Sequence, residues 1–315
     1  MDIIFKTLDF TDKKILPPSS KEIGYTSMNC TMEHCDTGSF ELAFRDEELE
    51  KFVKAYPEGL LVKWGHFEGY LTDFHFEETQ KSLYGSHINA LTHKFVVPPQ
   101  NITTAKVEAT VKSLINTYAP WLVFDDTGYT DAVEFSTDTY MHGDKFLKDY
   151  LSKLKWGYRI YTKGAELHFK LVKPEVNPLM FSIGNKNIYE ITEDFSNKNV
   201  AYGGWYKKTE EDDGTKLDTE EWIYITTEGK DGIFKNDTVL SANFPQAAKD
   251  ELTAKKLEHT HLAKTRNVDY NTDYTLGDII RLKTEETTKK QVTSIDLWFE
   301  SDTYHEEPVL AEWEE

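Results

Sequence analysis

Short stretches in which apolar and polar residues alternate recur along most of this chain, and they constrain its fold more than any other feature. One such stretch is residues 38–44, in which Phe40 and Leu42 alternate with small or polar residues. Residues 69–77 show the same period. A period of two places successive side chains on opposite faces of a strand. The pattern therefore predicts a β-rich protein.

Residues 1–97 are predicted to form a first domain made mainly of strands. Strands are expected at 38–44, 60–63, 69–77 and 88–97, with a short charged helix within 45–55. The pair Pro98-Pro99 ends the last strand, because proline cannot donate a hydrogen bond to a sheet. The pattern predicts a small barrel or sandwich.

Residues 98–173 change period and predict an α+β domain. Thr104 is a candidate N-cap for a helix over 105–118, whose apolar residues form one stripe. A second helix is expected over 144–155. The segment after it predicts a β-hairpin that turns at Lys163-Gly164.

Residues 174–315 predict a third domain, again mostly of strands and with one helix. Two strands flank a turn at 196–199, and an acidic loop at 210–221 leads into a strand at 222–227. Pro245 suits the first turn of a helix that runs to about residue 263. Three final strands are expected at 277–283, 291–299 and 304–313.

Charge and the absence of targeting signals restrict the possible functions. The chain has 36 Lys and Arg against 55 Asp and Glu, a formal net charge of -19. Binding to nucleic-acid phosphates needs basic residues, so a DNA-gripping surface is not expected. No apolar run approaches the roughly 20 residues that span a bilayer, and the first residues lack the pattern of a signal peptide. The chain is expected to be made in a cytoplasm and to insert in no membrane.

Two short segments of the sequence contain potential metal ligands. His259 and His261 are two residues apart, and on the predicted helix their side chains point about 200° apart. They could chelate an ion only if the segment were extended, so an exposed helical pair is favoured. Cys30 and Cys35, with His34 beside the second, have a loose form of zinc spacing. Two reduced thiols on a strand are the favoured interpretation.

Acidic residues do not point to an active site. Asp125-Asp126, Glu210-Glu211 and Asp212-Asp213 are adjacent pairs, whereas a glycosidase holds two carboxylates across a cleft on different elements. A calcium site at residues 211–218 is conceivable, but its spacing is not that of a helix-loop-helix calcium loop. No Gly-x-Ser-x-Gly motif or phosphate loop occurs. No catalytic, cofactor-binding or metal-binding residue and no cofactor is therefore predicted.

Four short motifs, taken in order, resemble the tail-hub or baseplate-hub proteins of siphophages. This family is related to the hub part of tail-associated lysins and to the spike hubs of contractile tails and type VI secretion. The motifs are Gly38-Ser39-Phe40-Glu41-Leu42, Gly143-Asp144 with Leu147 and Leu151, Asn187 with Asp194-Phe195-Ser196 and Asn199, and Tyr274-Thr275-Leu276-Gly277-Asp278-Ile279-Ile280. Each motif is weak alone, but their order spans most of the chain.

The resemblance implies an α+β, β-rich fold in which two tube-like β-barrel domains, residues 1–97 and 174–315, flank an α+β insertion at 98–173. It also implies a homotrimer at the distal end of the phage tail. The strands around 40–44 and 276–282 would form the ring, and Gly277-Asp278 would be a structural turn at a strand entry.

The same resemblance implies partners and a non-enzymatic role. The partners are a distal tail or tail tube protein, a tape measure protein, and a tip, fibre or receptor-binding protein. DNA would pass through the lumen without specific binding. Two alternatives remain: a tail-associated cell-wall hydrolase (endopeptidase or glycosidase), and a host carbohydrate-binding adsorption protein that uses aromatic residues such as Trp205 or Trp222.

Overall fold

The computed structural model describes residues 1–18, 24–77, 81–103, 105–196, 200–226, 237–255, 258–300 and 303–313. Thr104, predicted as a helix cap, lies outside the described residues, as do residues 197–199 of the predicted turn, with Asn199 of the third motif.

Strands dominate the described residues. The first nine are β1 (Ile3–Thr7), β2 (Lys13–Leu16), β3 (Tyr25–Glu33), β4 (Ser39–Phe44), β5 (Leu60–Trp64), β6 (Phe67–Phe76), β7 (Lys81–His87), β8 (Val96–Val97) and β9 (Asn101–Ile102). The next five are β10 (Leu122–Phe124), β11 (Phe135–Ser136), β12 (Met141–His142), β13 (Gly157–Lys163) and β14 (Glu166–Val172). The remainder are β15 (Val176–Ser182), β16 (Ile188–Ser196), β17 (Gly203–Glu210), β18 (Lys216–Thr226), β19 (Asp237–Val239), β20 (Glu258–Thr265), β21 (Ile279–Lys283), β22 (Thr287–Glu300) and β23 (Thr303–Glu312).

The α-helices of the described residues are α1 (Glu47–Ala55), α2 (Val107–Tyr118), α3 (Gly143–Ser152) and α4 (Pro245–Ala254). Asp46 caps α1, since its side chain accepts from the Leu49 amide at 2.8 Å. The buried side chains of α2 follow the predicted apolar stripe. The helices expected in the middle of the chain are thus confirmed, as is the hairpin of β13 and β14, which turns at Gly164 with φ +65°.

Two predicted elements are wrong. Residues 88–97 do not form a strand: Ile88–Lys94 is a 3₁₀ helix, and only the two residues of β8 are extended. The helix that begins at Pro245 ends at Ala254, so the segment expected to continue it to residue 263 instead contains strand β20. In both places tertiary contacts override the local pattern.

One large sheet combines strands from both ends of the chain. Among the described strands, the pairing follows the order β16-β20-β23-β22-β3-β4-β7-β6-β5-β1-β2, and β21 joins β15 to β22. The long strand β22 pairs with β3, β21 and β23. An isolated bridge between Pro18 and Tyr25 brings the end of β2 back to the start of β3. The fold is β-rich and α+β, and the ladders described close no barrel.

The chain divides into two compact units, and none of the predicted domain boundaries marks this division. The larger unit contains Met1–Ile191 and Leu262–Glu315, and the smaller contains Thr192–His261. The larger unit has one apolar cluster beneath the large sheet and a second around α2, α3 and the β13–β14 hairpin. The smaller unit packs α4 on the sheet of β17, β18 and β19. The three-domain division stays a prediction.

None of the helices in the described residues combines the length and the apolar character that crossing a bilayer requires.

Candidate functional site

The two histidines predicted to point apart lie side by side with a carboxylate. His259 and His261 are on β20, where residues two apart project from the same face of the strand. Glu193 is on β16, the neighbouring strand in the sheet. Its Oε2 lies 3.8 Å from His259 Nε2, and its Oε1 lies 3.6 Å from His261 Nε2. The prediction of an exposed helical pair is therefore wrong, because the segment is extended.

The surroundings of this Glu193–His259–His261 cluster hold the imidazoles in place and leave one side open. The two imidazole centroids are 4.4 Å apart. The His261 side chain is only 4% exposed, whereas that of Glu193 is 49% exposed. Phe195 stacks on the His259 ring at 4.3 Å, which fixes the plane of that ring. All three ligand-type side chains lie within the smaller unit.

The cysteine segment brings no comparable cluster together. Cys30 is buried in β3, and burial raises the pKa of its thiol well above the ordinary value. The Cys35 thiol donates to the Trp156 carbonyl at 2.7 Å, and burial raises its pKa to about 12. His34 lies against the Lys155 carbonyl, with Nε2 3.2 Å from the oxygen. Thiols with raised pKa values remain protonated at neutral pH, so they are poor metal ligands.

Asp125 and Asp126 have separate partners. His168 Nδ1 lies 3.0 Å from Asp125 Oδ1, and the Tyr161 hydroxyl donates to the same carboxylate. Asp126 pairs with Lys112 at 2.6 Å. The two carboxylates do not face each other across a cleft.

The acidic segment at 210–221 forms part of a β-hairpin. Its turn is closed by a hydrogen bond from the Glu211 amide to the Thr215 carbonyl, with Gly214 at φ +81°. Asp212 accepts from the Gln246 amide at the start of α4, and Asp213 accepts from the Thr215 amide. These two carboxylates therefore stabilise local backbone.

Gly277 and Asp278 form a structural turn, as the resemblance implies. Gly277 has φ +92°, a conformation that favours glycine. The Asp278 carboxylate accepts from the Thr275 amide at 2.9 Å and from the Asn177 side chain at 2.8 Å. The backbone then enters β21 at Ile279.

The strands expected to form a ring are internal to the sheet. Strand β4, which covers the residues expected around 40–44, pairs with β3 on one side and β7 on the other. Strand β21 pairs with β15 and β22. In the described part of the chain, the edges belong instead to β2, β15 and β16. These edges expose apolar side chains, namely Ile15, Val176, Tyr189 and Phe195.

A partly open cavity of about 290 Å³ lies in the larger unit between the turn at 271–276 and the β13–β14 hairpin. Arg159, Lys170, His34 and His87 line it together with Glu33. Burial lowers the pKa of Lys170 and of both histidines. The lowered pKa values of the two histidines favour their neutral forms at neutral pH.

Two tryptophans of the smaller unit share one exposed face. Trp205 of β17 is paired with Tyr224 of β18, and Trp222 is paired with Lys207. Because side chains two residues apart project from the same face, the aromatic residues form one patch. Trp205 is 45% exposed and Trp222 is 56% exposed. The Trp205 and Tyr224 ring centroids are 5.0 Å apart.

No protein-family model matches the sequence, and no curated protein matches it. Several solved structures are similar to this chain in fold, among them three tail proteins. A prophage tail protein, gp18, from Listeria monocytogenes has 13% identity and a TM-score of 0.52, with 99% of this chain and 94% of that chain covered. A tail protein from Neisseria meningitidis has 10% identity and a TM-score of 0.56, with 99% and 97% covered.

The third is a 43 kDa tail protein of prophage MuSo2 from Shewanella oneidensis. It has 11% identity and a TM-score of 0.55, with 99% of this chain and 98% of that chain covered. The predicted resemblance to phage tail proteins is thus confirmed for the fold, which extends over almost the whole length of these chains.

Proposed function

We propose that the protein is a structural component of a phage virion, the homotrimeric hub at the distal end of the tail. The observation that carries the proposal is the fold, shared over 99% of the chain with three tail proteins. In this role each chain contributes two tube-like halves to a ring beneath the tail tube, and the ring connects the tube to the tip or receptor-binding apparatus. Its partners are the distal tail or tube protein, the tape measure protein and a tip or fibre protein.

The charge of the chain suits a conduit for DNA. A formal net charge of -19 repels a phosphate backbone, so that DNA can pass through the lumen without adhering. The proposed mechanism is mechanical: the ring is closed before adsorption and opens when the tip engages the host. The proposal includes no catalytic step.

Exposed strand edges support self-assembly. Strand β15 pairs only with β21 among the described strands, and its Val176 is 69% exposed. An edge strand with an exposed apolar side chain is suited to pair with another chain. Symmetric association would cover such edges in a closed ring.

Imaging tests the proposal directly. Electron microscopy of the parent particle should place a three-fold ring of this protein at the distal end of the tail, and antibody labelling should mark the same end. Val176→Lys should reduce incorporation into tails because it puts a charge on the β15 edge. Tyr140→Lys, at a loop position that is 73% exposed, is the matched control. A protein found elsewhere in the particle, or absent from it, would refute the proposal.

A cell-wall hydrolase remains the enzymatic alternative. Zymography of the purified chain on host cell walls distinguishes the two. We expect no clearing, and lysis by this chain alone would overturn the non-catalytic role.

The aromatic patch favours a second candidate function, binding of host carbohydrate during adsorption. Exposed aromatic rings on one face provide a surface on which sugar rings can stack. Titration with purified wall polysaccharide should show binding that Trp205→Ala and Trp222→Ala each weaken. Trp121→Ala, at a residue of the larger unit that is 41% exposed, should leave binding unchanged. Failure of the unmodified protein to bind would exclude this candidate.

A further inference from the structure

We propose that Glu193, His259 and His261 form a binding site for a transition-metal dication of the Zn²⁺ type. One ligand atom from each side chain lies within 4.8 Å of the other two. Among the described residues, these three are the group of potential metal ligands whose donor atoms lie this close together. All three ligands come from one chain, so the site does not depend on the proposed ring.

The spacing of the donor atoms suits an ion between them. A tetrahedral Zn²⁺ ion with bonds of about 2.0–2.1 Å holds neighbouring ligand atoms roughly 3.3 Å apart. The distance from His259 Nε2 to Glu193 Oε2 is 3.8 Å, and the distance from His261 Nε2 to Glu193 Oε1 is 3.6 Å. They exceed the roughly 2.7–3.2 Å of a hydrogen bond. Small rotations of the side chains would therefore bring the donors to bonding distance of one ion.

The donor set selects the class of metal. Imidazole nitrogen is a good ligand for Zn²⁺, Ni²⁺ and Cu²⁺, whereas Ca²⁺ and Mg²⁺ require sites made of oxygen atoms. Two imidazoles and one carboxylate therefore favour a transition metal over the alkaline-earth ions. Three protein ligands leave a fourth position, which water can occupy on the half-exposed side of Glu193.

The positions of the ligands in the chain mean that a bound metal would stabilise the smaller unit. Glu193 lies near the start of the smaller unit, and His259 and His261 lie at its end. An ion bound by all three would link the two ends of this unit in the folded protein, where the ligands are held together. Metal binding to the folded protein would also stabilise that state by mass action.

The test is calorimetric titration of the metal-free, full-length protein with ZnCl₂, with CoCl₂ as a spectroscopic probe. We expect one Zn²⁺ per chain, and visible absorption bands typical of tetrahedral Co²⁺. His259→Ala and Glu193→Gln should each weaken Zn²⁺ binding by more than about 100-fold, since loss of even an outer contact costs about 10–100-fold. Titration with CaCl₂ should show far weaker binding.

A matched control lies elsewhere in the chain. His93 and His142 also stack, with a centroid distance of 3.9 Å, and His93 contacts Asp144. His93→Ala should therefore leave the strongest Zn²⁺ binding unchanged. His261 is buried, so loss of binding in His261→Ala would not distinguish a lost ligand from a misfolded chain. His259→Ala and Glu193→Gln change more exposed positions and keep the test decisive. No Zn²⁺ binding, binding unaffected by both variants, or Ca²⁺ binding of equal strength would overturn the proposal.

Discussion

The imidazole of His34 lies directly against Gly277, where a β-carbon would be 2.3 Å from His34 Cε1. Gly277 also has φ +92°. Two independent physical constraints thus select glycine at this turn: the backbone conformation and the absence of space for a side chain. The relationship joins the segment before β21 to the end of β3, which are far apart in sequence.

Gly277→Ala should therefore lower the free energy of unfolding by about 3 kcal/mol, from backbone strain and from displacement of a buried ring. Urea unfolding measures this change. Gly164→Ala is the matched control: Gly164 has φ +65° but open space around the position of a β-carbon. Its cost should be about 1 kcal/mol, which is the strain alone. An equal loss of unfolding free energy in the two variants would show that the His34 ring moves aside and that its contact with residue 277 does not affect stability.

The stability of the larger unit should fall in mild acid because of His87. Burial, with a smaller effect from Arg159, lowers the pKa of His87 to about 3. An unfolded chain binds a proton at this residue below about pH 6.5, whereas the folded chain remains neutral there. Stability should therefore fall by about 1.4 kcal/mol per pH unit from pH 6.5 down to about pH 3.

His87→Gln removes this titration. The slope of the unfolding free energy against pH should therefore decrease by the contribution of about one proton. Urea unfolding between pH 7 and pH 4 measures the slope. His75→Gln, at an exposed position on β6, controls for the loss of an imidazole. An unchanged slope in His87→Gln would mean that other groups cause the acid sensitivity.

The sequence predicted the elements that are specified by residues within one short segment of the chain. The stripe of α2 and the hairpin of β13 and β14 are examples, because their period and their turn residues lie within a few positions. The turn at Gly277 was expected from the family resemblance, in which the motif from Tyr274 to Ile280 leads into a strand. The pairing of β22 with β3 was not predicted, since the partners are more than two hundred residues apart and period alone does not specify register.

The candidate metal cluster shows the same limit. The residues of β20 include His259, Leu262 and Ala263, which fit a helical period as well as a strand. The assignment to a helix placed the two histidines on opposite sides, and the assignment to a strand places them together. Glu193 carried no signal of its own among 55 acidic residues, because its role depends on which strand lies beside β20.

Glu108 should stabilise the loop that follows β10. Its carboxylate accepts from the amides of Thr127 (2.7 Å), Gly128 (3.0 Å) and Tyr129 (2.5 Å) and from the Thr127 hydroxyl (2.8 Å). Burial acts to raise the pKa of Glu108, but these hydrogen bonds outweigh it, and the pKa lies below its ordinary value. The stabilisation is therefore present above about pH 4.3 and is lost as the pH falls below that value.

Glu108→Gln should lower the free energy of unfolding by about 2 kcal/mol at pH 7, because the amide has one oxygen fewer and no charge. The difference from the unmodified protein should shrink near pH 3. Chemical unfolding at both pH values measures it, and the exposed Glu134→Gln is the control. A constant difference at both pH values would show that the ionised form is not what stabilises the loop.

Asn89 accounts for the 3₁₀ helix found where a strand was predicted. Its side-chain nitrogen donates to the Tyr158 carbonyl at 3.1 Å, and its side-chain oxygen accepts from the Ile160 amide at 2.8 Å. Asn89 is 1% exposed, so its side chain pairs with the β13 backbone as another strand would. These hydrogen bonds require the Asn89 side chain to point at the β13 backbone. An extended segment would pair with β13 through its own backbone and could not place the Asn89 side chain there.

Asn89→Ala leaves a buried carbonyl and a buried amide without these partners and should lower the free energy of unfolding by about 3 kcal/mol. Hydrogen exchange should show a specific loss of protection at the Ile160 amide, which a general loss of stability would not single out. Asn185→Ala, at an exposed residue that donates to the Met180 carbonyl, is the control and should cost less than about 1 kcal/mol. If Ile160 kept its protection in Asn89→Ala, the 3₁₀ helix would owe its position to apolar packing of Ile88 and Leu91 instead.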